Sequence, residues 1–200
     1  MFPLSLTLLP GSVLPLKLYE ARYLQLYQNI VDGDREFGVV LIERGKDAGG
    51  DDARFDTGSV ARMVGSGTHE NGSVSIVTVG TRRVRVPEWL DDSPYPSARV
   101  ELLIDDPVNE IGEDFVEEAR EALFQVRALF SELGADVGLE KPQLSDDPIA
   151  ATYQMAQLCG LQSLDMQRVL EAPSSDLRAG LVKDLISDQG DLVRMRLELG

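Results

Sequence analysis

Residues 1–23 read MFPLSLTLLPGSVLPLKLYEARY, and the order of apolar and polar positions within them decides the fold. Phe2, Leu4, Leu6 and Leu8 alternate with Pro3, Ser5 and Thr7, a period of two that sets four large apolar side chains on one face of a half-buried strand. Pro10-Gly11 ends that strand. Pro15 is followed by Leu16, Leu18 and Tyr19, and from Glu20 the apolar spacing becomes helical, at Tyr23, Leu26, Tyr27 and Ile30, until Asp32-Gly33 stops it. A strand, a proline-kinked crossing and an amphipathic helix are therefore expected in succession.

Outward from this segment, Phe37 to Ile42 is short, β-rich and apolar on both faces, the pattern of a fully buried strand. Gly45 to Thr57 is rich in glycine and aspartate and reads as a solvated loop. Three or four further strands are expected, near 58–67, 73–79, 82–89 and 97–104, with Asn71-Gly72 supplying the positive-φ residues of a tight hairpin. Several short strands around one helix suit a small closed or nearly closed barrel, because closure removes edges that would pair with other chains.

Asp105-Asp106-Pro107 marks the expected boundary, giving a β-rich part over 1–106 and a helical part over 107–200. Phe115, Val116, Ala119, Ala122, Leu123, Val126, Leu129, Phe130 and Leu133 form one helical stripe. Asp147 with Pro148 can start a second helix, Ser163 a short third, and Ser174 or Ser175 a fourth whose stripe is Leu177, Leu181, Leu185, Leu192 and Leu199. The fold class is α+β: a β-barrel of about six strands with one embedded helix, then a helical bundle.

The phrases Leu9-Pro10-Gly11, Leu14-Pro15-Leu16 and Tyr19-Glu20-Ala21-Arg22-Tyr23, followed by Phe37-Gly38-Val39-Val40, occur in an order and spacing that resemble the N-terminal, substrate-binding domain of the Lon protease family. Gly58-Ser59-Val60-Ala61 and Gly80-Thr81-Arg82-Arg83-Val84 resemble its later strands, with Val84 where the family usually has phenylalanine. Asp147-Pro148-Ile149-Ala150-Ala151, the run Leu161 to Leu170 and Leu177-Arg178 resemble its helical half, and 45–57 is the weakest stretch. The resemblance implies a PUA-like β-barrel and a non-catalytic module of bacterial type that recognises substrate polypeptide or contributes to assembly; the expected function is a peptide- or protein-binding module, with an adaptor role in protein quality control as one form of it. It also implies a stand-alone form, since no ATPase or Ser-Lys peptidase module lies within these residues.

Charge narrows the partners. The net charge is −15, from 34 acidic and 19 basic residues, and a field of that sign repels nucleic-acid phosphate and anionic lipid. Apolar residues at 43% and charged residues at 26% place the chain among globular proteins rather than disordered or collagen-like ones. No apolar run reaches the length of a membrane span. No basic stretch precedes Lys17, and Pro10 and Pro15 interrupt any signal-peptide helix, so the expected compartment is the cytoplasm. Cys159 is the single cysteine, set in an apolar helical stretch where a buried, inert thiol is expected.

Catalytic chemistry is not visible. Gly45-Lys46-Asp47-Ala48-Gly49-Gly50 misplaces the lysine of a phosphate-cradling Walker A loop and adds an aspartate. His69, the one histidine, sits in a hairpin without a nucleophile partner, and Gly65-Ser66-Gly67 lacks the spacing of a nucleophile elbow. One cysteine and one histidine cannot make an ordinary zinc site. The paired acids Asp51-Asp52, Asp91-Asp92, Asp105-Asp106 and Asp146-Asp147 fall in loops or at helix starts, where solvation or capping accounts for them. No enzyme activity, cofactor or metal is expected.

Two constellations remain for binding. Glu20, Arg22 and Tyr23 stand at the helix entrance, where an ion pair could fasten the helix or serve a ligand. Leu14, Pro15, Leu16, Tyr19 and Trp89 put apolar and aromatic surface on proline-rich segments, which suits extended, partly unfolded polypeptide if they are contiguous. The expected partner is unfolded or partly folded polypeptide or a specific protein, with homo-oligomerisation left open. RNA binding is the alternative, since PUA-like barrels also serve RNA. Arg82 and Arg85 would offer it a basic strip, with Arg83 turned inward toward Glu20 or another acid.

Overall fold

The structure is a computed structural model that describes residues 1–44, 53–104, 113–134 and 143–199. The chain divides into two compact units, Met1–Ile104 and Asp105–Gly200. The first holds β1 (Phe2–Leu4), β2 (Val13–Leu18), α1 (Ala21–Val31), β3 (Glu36–Arg44), β4 (Ala53–Thr68), β5 (Val74–Trp89) and β6 (Ala98–Leu102). The second holds α2 (Glu113–Glu132), α3 (Pro148–Leu158), α4 (Ser163–Glu171) and α5 (Ser175–Leu199). Together they make the expected α+β class, a curled half-barrel sheet with one helix inside it and helices after it.

The sheet runs β1-β3-β4-β5-β2, with β6 on β5. Only β1 against β3 is parallel; the other pairings are antiparallel. The curl closes over α1, whose Tyr23, Leu26 and Ile30 meet Phe2, Leu4, Leu8, Leu14, Leu18, Phe37, Val39, Ala61, Met63, Val74 and Ile76 in one core. Phe2 stacks on Tyr23 with ring centroids 4.0 Å apart and planes 16° apart. Such a pair adds about 1 kcal/mol to the burial of its area. The helix starts after Glu20, which has extended φ and ψ, and stops at Asp32.

Several expectations need correction. β1 ends at Leu4, so Leu6 is exposed while Pro3 is buried; a short parallel strand is covered on both faces and need not alternate. β4 begins at Ala53, within the expected loop, whose remainder at 45–52 lies outside the described residues. The strands expected at 73–79 and 82–89 are one, β5, in which Thr81 is the extra residue of a bulge between the pairs Ala61 with Gly80 and Val60 with Arg82. Only Gly72 of the hairpin has positive φ, at 79°.

In the helical unit, the Asp147 side chain accepts from Ile149 N–H at 3.0 Å and Pro148 takes the first turn of α3, as the pattern predicts. The residue before α4 is Gln162 rather than Ser163, and its side chain makes no capping bond. On α5 the buried face is Arg178, Ala179, Val182, Leu185, Ile186, Gly190 and Val193, whereas Leu177, Leu192 and Leu199 of the expected stripe are exposed. Arg178 is fully buried; its Nε donates to Thr152 Oγ1 at 3.1 Å and its guanidinium lies 4.2 Å over the Tyr153 ring, tying α5 to α3.

Candidate functional site

β2 is where local sequence sets up a surface. Its residues alternate, with Val13, Pro15 and Lys17 exposed and Leu14 and Leu18 buried. Leu16, half-buried, shares the inner face. The register with β5 runs unbroken from Val13 with Val79 to Leu18 with Val74. Just before it, Gly80 N–H donates to Ser12 C=O at 2.9 Å. The main-chain groups of even-numbered residues therefore turn to β5, and those of Val13, Pro15 and Lys17 turn away. Pro15 forfeits no ladder bond in this position, which is why an edge strand accepts it.

Among the described residues β1 pairs with β3 alone and β2 with β5 alone, so the curl is open between its two end strands. A cavity of about 170 Å³ lies at that seam, lined by Phe2 and Leu4 of β1, Leu16 and Lys17 of β2, and Tyr19, Glu20 and Tyr23 of the helix entrance. Tyr19 is 68% exposed at its edge. Arg22 Nε donates to Glu20 Oε2 at 2.9 Å and its guanidinium lies 4.5 Å over the Tyr23 ring. One cation thus holds both a rim carboxylate and the aromatic floor.

The sequence candidates separate on this geometry. Leu16, Tyr19, Glu20 and Tyr23 come together around the cavity, and Arg22 braces two of them. Leu14 belongs to the core, and Pro15 is exposed on the neighbouring outer face. Trp89 is engaged elsewhere: the Arg54 guanidinium lies 4.5 Å over its ring and forks onto Asp92 at 2.7 and 3.3 Å. Phe2, Leu4 and Lys17 were not among the candidates. The alternation of the first two marks burial, and burial in a cavity wall carries the same signature as burial in a core.

The basic strip is neutralised. Arg82 and Arg62 both bind Glu36, the latter at 2.7 Å, and Arg85 binds Glu101 at 2.7 Å. Arg83 is buried as expected, although a strict period of two would set it on the face of exposed Arg85 and opposite buried Val84 and Val86. His69 is exposed with Nε2 2.7 Å from Ser75 Oγ. Cys159, the residue that caps the C-terminal end of α3, is buried, and burial pushes its thiol up to about 12. Among the described residues no group of three or more His, Cys, Asp or Glu is arranged to hold a metal ion, and no helix is long and apolar enough to cross a membrane.

Comparison with known proteins agrees with this fold. Residues 1–188 match the ATP-dependent protease La (LON) substrate-binding domain. The chain is 22% identical to a Lon protease of Cytophaga hutchinsonii over 98% of its own length and 24% of that protein's. It is 28% identical to Lon protease 2 of Myxococcus xanthus over 93% and 23% respectively. It thus spans about a quarter of the curated relatives it matches. The Lon N-terminal domain protein from Xanthomonas campestris superposes with a TM-score of 0.62 at 22% identity, covering 88% of this chain and 91% of that one. The N-terminal domain of the Mycobacterium avium complex Lon protease gives 0.58 at 17%, covering 93% and 95%. With a family match over nearly its whole length and the same curled sheet and helices, this chain belongs to the LON substrate-binding domain family.

Proposed function

We propose that this chain is a non-catalytic recognition module for unfolded or partly folded polypeptide and serves as an adaptor in protein quality control. The observation that carries the reading is the open seam between β1 and β2, with a cavity walled by Phe2, Leu16, Tyr19 and Tyr23. An apolar cavity with one exposed aromatic side chain, Tyr19, at its edge and a free strand edge beside it suits a ligand that has lost its own tertiary structure. Such a ligand offers both apolar side chains and unpaired main chain. Catalysis belongs to modules that these 200 residues do not include: they contain neither a Walker A loop nor a Ser-Lys peptidase region.

An amide NMR titration of the labelled chain tests the reading, with an unstructured apolar-rich peptide and, separately, a single-stranded RNA. Saturable peptide shifts at Leu16, Tyr19, Glu20 and Tyr23, with none from RNA, are expected. Shifts from RNA at Arg82 and Arg85 would replace this reading with nucleic-acid binding. Silence from both would overturn the unfolded-polypeptide reading and point instead to a specific folded partner.

A further inference from the structure

The seam also carries information about which polypeptide it takes. Its rim charge is unbalanced. Glu20 is already held by Arg22, and among the described residues Lys17 has no ion-pair or hydrogen-bond partner. Many of the other cations are paired: Arg54 with Asp92, Arg62 and Arg82 with Glu36, Arg85 with Glu101, Arg99 with Glu88. In a chain of net charge −15, Lys17 sets an exposed cationic side chain without a partner beside an apolar cavity. It attracts a carboxylate.

Strand geometry fixes where that carboxylate must lie. An extended segment added to the free edge of β2 would meet the main-chain groups of Val13, Pro15 and Lys17. Pro15 offers only its carbonyl. Successive side chains of an added strand point to opposite faces of the sheet. One that enters the cavity beside Leu16, on the inner face, therefore has its immediate neighbours on the outer face, the side that Lys17 shares with Val13 and Pro15. The cavity, about 170 Å³, is the size of one leucine or phenylalanine side chain rather than a run of them.

We propose that the seam takes an extended polypeptide segment laid along the free edge of β2, with one large apolar side chain in the Phe2–Tyr23 cavity and an adjacent acidic side chain at Lys17. This rests on the polypeptide reading above and adds to it a preference: a large apolar residue next to Asp or Glu, in either order.

The test uses fluorescein-labelled, unstructured Gly/Ser-rich peptides that differ in one central pair, Leu-Glu, Leu-Lys or Ser-Glu, titrated by anisotropy against the intact chain and its Lys17→Glu and Lys17→Gln variants. Amide spectra verify that both variants are folded. The intact chain is expected to bind the Leu-Glu peptide about fivefold tighter than the Leu-Lys peptide, the scale of a single exposed ion pair. Lys17→Glu should reverse that order, and Lys17→Gln should level it. The Ser-Glu peptide should lose most of its affinity. N-methylation of alternate main-chain amides in the Leu-Glu peptide should weaken it only in the register that faces β2. Equal affinities for Leu-Glu and Leu-Lys, or an order that Lys17→Glu leaves unchanged, would overturn the acidic preference and leave polypeptide binding standing. Absence of binding by all three peptides, with no amide shifts at Leu16, Tyr19 and Tyr23, would overturn both.

Discussion

A methyl group at position 80 would lie 2.3 Å from the carbonyl oxygen of Leu9, a main-chain atom that cannot swing aside. Gly80 is therefore required by the way the first segment crosses β5, and Gly80→Ala is expected to cost about 2–3 kcal/mol, measurable by urea unfolding. Tyr19 is the opposite kind of residue. Because it is 68% exposed, Tyr19→Ala should leave stability within about 0.5 kcal/mol yet weaken peptide binding severalfold in the same NMR titration. Tyr23 cannot be tested this way, since it is buried against Phe2 and its removal would damage the core. Cys159 gives a prediction with a defined sign. Its folded thiol ionises near 12, above the usual 9, so between those values the unfolded chain releases a proton that the folded chain keeps. Stability should fall as pH rises above about 9. At pH 8 the native thiol should resist maleimide and react fully once urea is added; native labelling would show that it is reachable.

At the scale of elements, what could be read from the sequence depended on whether one signal sufficed. α1 was legible because its stripe of Tyr23, Leu26 and Ile30 and its stop at Asp32-Gly33 agree. The edge character of β2 was only half legible: Pro15 hints at it, but the seam depends on which strands pair, and pairing is not local. β5 was read as two strands because Gly80-Thr81 resembles a break, whereas the bulge keeps pairing through it. α5 was misread for a packing reason. Leucines lie on both of its faces, and the buried face is chosen by close approach to α2: a Cβ at Gly190 would meet Val126 Cγ2 at 3.2 Å. Small residues there admit the neighbour, and Leu192 and Leu199 are left outside. Leu192→Gln should therefore change stability by no more than about 0.5 kcal/mol, while Leu185→Ala should cost about 2–4 kcal/mol. Similar losses from both would restore the leucine stripe as the buried face.

At the scale of the whole molecule, charge is the dominant fact and it sets a prediction in which two effects oppose. The ion pairs on the sheet's surface, such as Arg85 with Glu101 and Arg99 with Glu88, are exposed on both partners, and such pairs contribute about 0–1 kcal/mol each. Salt weakens them. The surplus of 15 negative charges repels itself, and salt weakens that too. It is shared unevenly, with residues 107–200 carrying −10 and 1–106 carrying −5. Since the exposed pairs are individually weak while the repulsion is summed over the surface, screening should give a net gain. Raising sodium chloride from about 10 mM, where the screening length is about 30 Å, to about 0.15 M, where it is about 8 Å, is expected to raise Tm by about 3 °C, or about 1 kcal/mol for a chain of this size. Calorimetry at the two ionic strengths decides it. A fall in Tm would mean that the Glu36 cluster with Arg62 and Arg82 outweighs the repulsion and that the acidic surface is locally balanced where it matters. The same salt change should weaken Leu-Glu peptides at Lys17 and leave the apolar anchor untouched, so stability and peptide selectivity should respond to ionic strength with opposite signs.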